Sequence, residues 1–347
     1  MARAPFVIGG KKVAPGERHA IDLPISLLSN HAPMALPVQV FHGRKDGPTV
    51  FVSGALHGDE VNGVEIIRRL SRSPALKSLR GTLLAVPIVN VFGFVNHTRY
   101  LPDRRDLNRS FPGTTGGSLA SQLAHILMNE VVRHCDYGID LHTAAVHREN
   151  LPQIRADMDL EGLSDIAHAF GAPVILHKAI IPGSLRQAAD ETDAKVIVYE
   201  AGEALRFDEV SIQAGLKGVL RVLHHLGMIS KRWRPKSPIT PVTASASAWT
   251  RAPFGGILRS GCRLGAYVKE GDVLGQISDP FGEFEEPVIA GHSGLIIGRL
   301  NLPMVNQGDA IVHIAKVDDG DQATETIESF KDLIDEEMEA DDSDPYA

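Results

Sequence analysis

Between Pro48 and about Ile229, short runs of β-branched and other apolar residues alternate with longer stretches in which apolar positions recur every three or four residues. That alternation is the mark of an α/β fold, in which helices cover buried strands. The runs 49–56, 82–89, 137–141 and 195–199 are apolar at successive positions, as strands buried on both faces require. After Gly58, Val61, Val64, Ile67 and Leu70 form one stripe, and 118–134 and 208–226 carry similar stripes with Ser118 and Asp208 placed as caps.

Near Lys231 the texture changes to Arg-Trp-Arg-Pro-Lys-Ser-Pro, and 231–239 reads as a linker. Residues 240–316 are rich in Gly and short strand-like runs, which predicts a small all-β domain. They hold a faint repeat, in which Val268-Lys269-Glu270-Gly271-Asp272-Val273 returns as Val305-Asn306-Gln307-Gly308-Asp309-Ala310. Each copy reads as a hairpin with a Gly-Asp turn, and two such units predict a small barrel or flattened sandwich. Residues 1–47 are expected to pack on the α/β domain, 48–230. The tail, 317–347, is expected to be a solvated arm because its dense like charges repel; a short helix over 327–338 is the alternative.

Composition narrows the function classes. With 43% hydrophobic and 22% charged residues in 347, the chain is an ordinary globular protein. Residues 318–347 hold 13 of the 43 acids but only Lys331 among the bases, so the rest carries 34 bases against 30 acids. A body so near neutrality offers no stripe for nucleic acid. Cys135 and Cys262 are the two cysteines and neither sits in a C-x-x-C pair, so neither a disulfide framework nor a cysteine zinc site is indicated. No apolar run reaches about 18 residues and the N-terminus lacks the apolar core of a signal peptide, so no membrane span and a cytoplasmic location are expected.

Four segments within 48–230 gather chemistry. Gly54-Ala55-Leu56-His57-Gly58-Asp59-Glu60 falls where a strand ends and a helix begins. His57 and Glu60, three apart on a first helical turn, direct an imidazole nitrogen and a carboxylate oxygen at one point, a pair that suits Zn²⁺. A packed histidine beside a capping Asp59 or Glu60 explains the same letters. Gly138-Ile139-Asp140-Leu141-His142-Thr143 puts His142 at a strand's carboxyl end, with Asp140 on the same face as a partner for the ring. Taken alone, the plainer reading of His142 is a satisfied histidine at a strand edge.

The third segment, 99–113, holds Asn108 and Arg109, whose guanidinium fork suits a substrate carboxylate; a solvated basic loop pinned by Pro102 and Pro112 is the plainer reading. In the fourth, Glu200 follows an apolar strand at the rim of a cleft, placed to take a proton from an activated water and return it to a leaving amine. Glu203 competes for that role, and a glutamate capping a turn explains either residue standing alone.

In order and spacing, H-x-x-E, D-L-N-R, D-L-H-T and E-x-G resemble the succinylglutamate desuccinylase and aspartoacylase family, relatives of the zinc carboxypeptidases. The likeness runs motif by motif over 48–230, with a looser match of 240–316 to that family's C-terminal domain. It implies a mixed α/β sheet flanked by helices, as in the carboxypeptidases, followed by a small all-β domain. It implies that His57, Glu60 and His142 hold one Zn²⁺ per chain and leave a position open for water. Glu200 would then be general base and acid, and Asn108 with Arg109 would clamp a substrate carboxylate. Arg99, in Thr98-Arg99-Tyr100, matches the arginine that stabilises the oxyanion. The interval from Arg99 to Asp106 is longer than in the aspartoacylase version and contains Arg104 and Arg105, so that role stays open among three arginines.

The activity implied is hydrolysis of a non-cyclic amide bond in a small N-acylated amino acid. A metallocarboxypeptidase or amidase would use the same groups on a peptide-like substrate. From another class comes a binding protein that has lost its chemistry, which an intact ligand set plus Glu200 argues against. No G-x-S-x-G, G-x-G-x-x-G or P-loop occurs, against a serine hydrolase or a nucleotide enzyme. The Gly-Asp turns of 240–316 look similar to biotinyl and lipoyl carrier domains, but 279–287 has no lysine to carry a cofactor. A lid or oligomer-interface role is assigned instead, which admits a homo-oligomer. The stretch 147–155 shows no pattern that converts to chemistry.

Overall fold

The computed structural model describes residues 3–230, 233 and 239–342. Its frame is a 13-stranded mixed sheet. At the centre the four runs expected as buried strands lie side by side and parallel, in the order Lys195–Glu203, Tyr137–Ala144, Lys45–Gly54, Arg80–Val86. Alternate residues enter two cores. Val50, Val52, Ile139 and Ile197 pack on one face with Asn62–Leu70, Leu163–Phe170 and Glu209–His225. Phe51, Leu84 and Val196 pack on the other with Leu119–Glu130 and Leu185–Asp190. Each such fully buried aliphatic side chain contributes about 1.5–3 kcal/mol, which is why these strands read as unbroken apolar runs.

Ser118 caps Leu119–Glu130 as expected, its hydroxyl accepting from Ser121 N at 3.3 Å. Asp208 precedes Glu209–His225, but its carboxylate accepts from the Ser211 hydroxyl and makes no cap bond to a backbone N–H.

The sheet grows from both sides of this centre. Pro33–His42 and then Arg18–Leu27 add antiparallel beyond Arg80–Val86. On the other side Arg148–Ala156 lies antiparallel to Lys195–Glu203, followed by Gly294–Leu300, Ala310–Lys316 and Ala246–Arg251. Residues 240–316 are all-β as expected, and one continuous sheet joins several of their strands to the parallel centre. The linker expected at 231–239 lies outside the described residues, apart from Trp233 and Ile239.

Both copies of the repeat form the same turn. Asp272 accepts from Lys269 N and Asp309 from Asn306 N, each at 2.7 Å, with Gly271 and Gly308 at φ +91° and +87°. The flanking strands do not pair as hairpins. Tyr267–Val268 lies on the long sheet and Val273–Ser278 in a second, four-stranded one; Met304–Val305 lies in the second and Ala310–Lys316 on the long one. Each copy is thus a corner that carries the chain between sheets, and the two cross in opposite directions to close a flattened sandwich around Leu258, Ile277, Ile296 and Val312.

The tail departs from the expected solvated arm. Gly320–Asp342 is a 23-residue helix in which Ala323, Ile327, Phe330 and Ile334 are buried. Their spacing of four, three and four makes one apolar stripe, so most of the acids face water and their repulsion does not oppose docking. Glu337 is an exception, buried against Arg221 at 2.7 Å. No helix among the described residues is long and apolar enough to cross a membrane.

Candidate metal centre

The centre forms at the carboxyl ends of the parallel strands. Beyond Lys45–Gly54, Ala55 adopts φ +47°, a left-handed conformation that costs a side-chain-bearing residue about 1–2 kcal/mol and that bends the chain sharply. The next turn closes through Glu60 N to His57 O at 3.1 Å. Gly58 lets this loop meet the helix Val91–Val95: a Cβ there would lie 2.0 Å from the Gly93 carbonyl carbon. Asn90 caps that helix by accepting from Gly93 N at 2.8 Å and donates to Arg99 O at 3.1 Å, so the same packing fixes Arg99.

His57 Nδ1 lies 2.7 Å from one Glu60 oxygen and His142 Nδ1 lies 2.7 Å from the other. All three residues are buried, and their donor atoms lie within 4.8 Å of one another. Each ring is held from behind by a carboxylate: His57 Nε2 is 3.2 Å from Asp106 Oδ1, and His142 Nε2 is 2.7 Å from Asp140 Oδ2. Carboxylates so placed accept from Nε2–H, so that each ring, when neutral, turns its Nδ1 lone pair inward. Two imidazole nitrogens and a carboxylate converging with outer partners satisfied is a donor set that fits Zn²⁺ with a position to spare.

The supports continue outward. The Ser53 hydroxyl donates to Asp140 at 2.7 Å, Asn108 N donates to Asp106 at 2.8 Å, and Thr143 N donates to Glu60 at 3.2 Å. Arg99 bridges two of the acids, with Nη1 3.1 Å from Glu60 and Nη2 3.1 Å from Asp106.

Charge is balanced tightly here. Burial disfavours a charged His57, but Glu60 and Asp106 outweigh it and hold the ring above its ordinary pKa. The same contest, with Asp140 and Glu60, raises His142 well above its ordinary value. Burial likewise opposes the charge on Glu60, yet the two imidazoles hold it well below the usual carboxylate range; Asp106 is held low by His57 and Arg99 against the same penalty. Asp59 is raised by burial and by Glu60, and its Oδ1 is buried without a partner.

Glu200 is the register partner of His142 on the neighbouring parallel strand, so the two share a sheet face. Its competitor Glu203 is occupied as a turn cap, accepting from His147 N at 2.9 Å and Asn301 Nδ2 at 3.1 Å. Of the three arginines left open by the sequence, Arg99 joins the centre, while Arg104 and Arg105 are exposed, Arg105 lying 3.9 Å from Asp103. Asn108 uses Oδ1 to accept from Leu185 N at 2.9 Å; Arg109 is exposed and donates to Asn108 O at 2.6 Å.

Sequence reasoning gave no role to Asp106, although the D-L-N-R motif contains it, and none to Asn150, Arg155 or Arg186. Asn150 and Arg155 lie in the stretch that showed no pattern, and their signal is register: that stretch becomes the strand beside Glu200. Arg186 faces the same region; burial first, then Arg155, lowers its pKa. A second trio, Asp157, Asp159 and His177, also gathers three donor atoms. There Met158 N donates to His177 Nδ1 at 3.0 Å, which engages the lone pair a metal would need on that atom, and Asp159 is exposed. A basic cleft of about 1040 Å³, lined by Arg18, Arg44, Lys45, Arg72, Lys77 and Arg80, opens at the opposite end of the strands from these motifs.

A model of the succinylglutamate desuccinylase/aspartoacylase catalytic domain matches residues 46–226. The N-alpha-acetyl-L-2,4-diaminobutyric acid deacetylase of Halomonas elongata is 30% identical over 322 residues, covering 88% of this chain and 93% of that protein. A solved succinylglutamate desuccinylase/aspartoacylase structure from Rhodobacter sphaeroides shares 25% identity at a TM-score of 0.75, over 86% of this chain and 96% of its own. A succinylglutamate desuccinylase from a Silicibacter species shares 26% at 0.76, over 87% and 95%.

Proposed function

Since this chain belongs to the succinylglutamate desuccinylase/aspartoacylase family, whose members act on amide bonds, we propose that it is a zinc-dependent deacylase of a small, linear N-acyl amino acid. One observation carries the reading: two imidazole Nδ1 atoms and the Glu60 carboxylate converge while Asp106 and Asp140 hold the outer nitrogens. The deacetylase relative, matched over nearly its whole length, makes an N-acetyl diamino acid the first substrate to try.

A zinc ion bound by His57, Glu60 and His142 would supply a Lewis acid and an acidified water. Glu200 takes a proton from the attacking water and returns it to the departing amine, which turns a poor leaving group into a good one. Arg99 donates toward the oxyanion that develops on the scissile carbonyl. Asn108 and Arg109 bind the substrate's carboxylate, and Arg104 and Arg105 add positive charge on that loop. The reaction runs in the cytoplasm.

The test is Glu200→Gln, assayed on N-acetyl-L-2,4-diaminobutyrate, N-succinylglutamate and N-acetylaspartate. We expect unchanged zinc content and a loss in kcat of about 10³-fold, within the range general acid–base catalysis supplies. Undiminished turnover would remove Glu200 from the chemistry.

A further inference from the structure

Glu200 is bracketed by two donors from one neighbouring strand. Arg155 Nη1 lies 2.8 Å from Oε1, and Asn150 Nδ2 donates to Oε2 at 2.7 Å. Register explains how. Across the antiparallel pair Glu200 faces Gln153, while Val198 faces Arg155 and Gly202 faces Asn150, so the donors reach in diagonally from either side of Gln153. The pairing shifts by one residue between Glu200 and Gly202, which brings Asn150 into range. Gln153 is fully buried, and its amide donates to Leu151 O at 3.1 Å and Ile297 O at 3.2 Å, which anchors the middle of the bracket. Gly298 makes room on the far side, since a Cβ there would meet Asn150 Oδ1 at 2.9 Å.

Stability alone does not account for the arrangement. Arg155 is largely buried and lies in the field of Lys178, Arg186 and His313, each of which its charge disfavours protonating. Among the described residues Glu200 is the carboxylate at ion-pair distance from it. A half-buried pair set among like charges is a poor way to stabilise a fold. It is a good way to hold one carboxylate in one rotamer. A carboxylate has about four lone-pair sites, and two donors leave the others able to accept a proton.

We propose that Arg155 and Asn150 are positioning residues that fix the Glu200 carboxylate beside His142 for proton transfer. The proposal rests on the reading of Glu200 as the proton carrier. Arg155 acts through Glu200 and does not bind substrate.

The test compares Arg155→Gln, Arg155→Lys, Asn150→Ala, Glu200→Gln and the double variant Arg155→Gln/Glu200→Gln in the zinc-loaded full chain. N-acetyl-L-2,4-diaminobutyrate is the probe, and zinc content and a crystal structure of Arg155→Gln are further readouts. Arg155→Gln and Asn150→Ala should lower kcat about 10- to 100-fold, the usual loss when a supporting contact is removed, with KM and zinc content within about twofold of wild type. Arg155→Lys should recover part of that loss. In the Glu200→Gln background Arg155→Gln should add less than about twofold, because its effect passes through the missing carboxylate. The crystal structure should show the Glu200 carboxylate displaced with His57, Glu60 and His142 unmoved. A rise in KM at unchanged kcat, or an undiminished effect in the Glu200→Gln background, overturns the clamp and leaves the base intact. Full turnover by Glu200→Gln alone overturns the base and the clamp together.

Discussion

Single atoms decide much of the behaviour of this centre. His57 and His142 present Nδ1 because Asp106 and Asp140 engage Nε2, and those carboxylates are fixed in turn by Asn108 N and the Ser53 hydroxyl. Asp140 was legible in the sequence, since alternation along a strand puts it on the face of His142. Asp106 was not, because nothing local says that a loop 49 residues from His57 folds back onto its ring. His313 shows the influence of its surroundings away from the candidate metal centre. Lys178 Nζ donates to the Ser247 hydroxyl at 2.8 Å, and that hydroxyl lies 2.9 Å from His313 Nε2, which ties a cationic neighbour to the ring. Burial, with Arg155, Lys178 and His292, pushes its pKa from 6.5 to about 3. As pH falls below 6.5 the unfolded chain takes up a proton that the folded ring refuses until about 3, so stability drops across that window. The slope is at most about 1.4 kcal/mol per pH unit. His313→Gln should lose this term, and its stability relative to wild type should improve from pH 6.5 toward 4 in denaturant titrations; a pH-independent gap would contradict the neutral ring.

At the scale of elements, the central strands were legible because burial on both faces leaves continuous apolar runs, and the helices because their stripes keep a helical period. Strand partners were less so. The Gly-Asp turns were readable at Asp272 and Asp309, but a turn does not reveal whether its flanking strands pair with each other or enter two sheets. The tail misled because total charge was weighed before periodicity. Ile327, Phe330 and Ile334 keep one face apolar despite the acids around them, and Glu337 turns inward to Arg221, with Nη2 to Oε1 at 2.7 Å. Burial lowers the Arg221 pKa, so this cation depends on its partner. Removing one member of a buried pair leaves the other uncompensated, typically at a cost of 3–5 kcal/mol. Glu337→Ala should therefore destabilise the protein by about 3 kcal/mol, read from the urea midpoint, whereas a change under about 0.5 kcal/mol would show the helix only loosely docked.

Over the whole molecule, one sheet runs from Arg18–Leu27 through the parallel centre to Ala246–Arg251, so the candidate metal ligands and the C-terminal β segment share a frame. Lys178 reaching Ser247, Arg299 pairing with Glu149 at 2.8 Å and Asn301 with Glu203 at 3.1 Å fasten that frame beside the site. Motif order in the sequence carried the family and brought His57, Glu60 and His142 together as candidate ligands, because those letters lie next to strand ends; the supports of Glu200 come from a strand whose letters mean nothing until its register is known. The central claim is that this frame exists to hold one zinc ion between His57, Glu60 and His142 for amide hydrolysis. Its most direct test is elemental analysis of the protein purified without added metal, beside His142→Ala, with N-acetyl-L-2,4-diaminobutyrate hydrolysis followed through chelation and zinc return. The prediction is one zinc per chain, lost in the variant, with activity that disappears on chelation and recovers with zinc. Hydrolysis that persists in chelated protein, or zinc retained in full by His142→Ala, would contradict it.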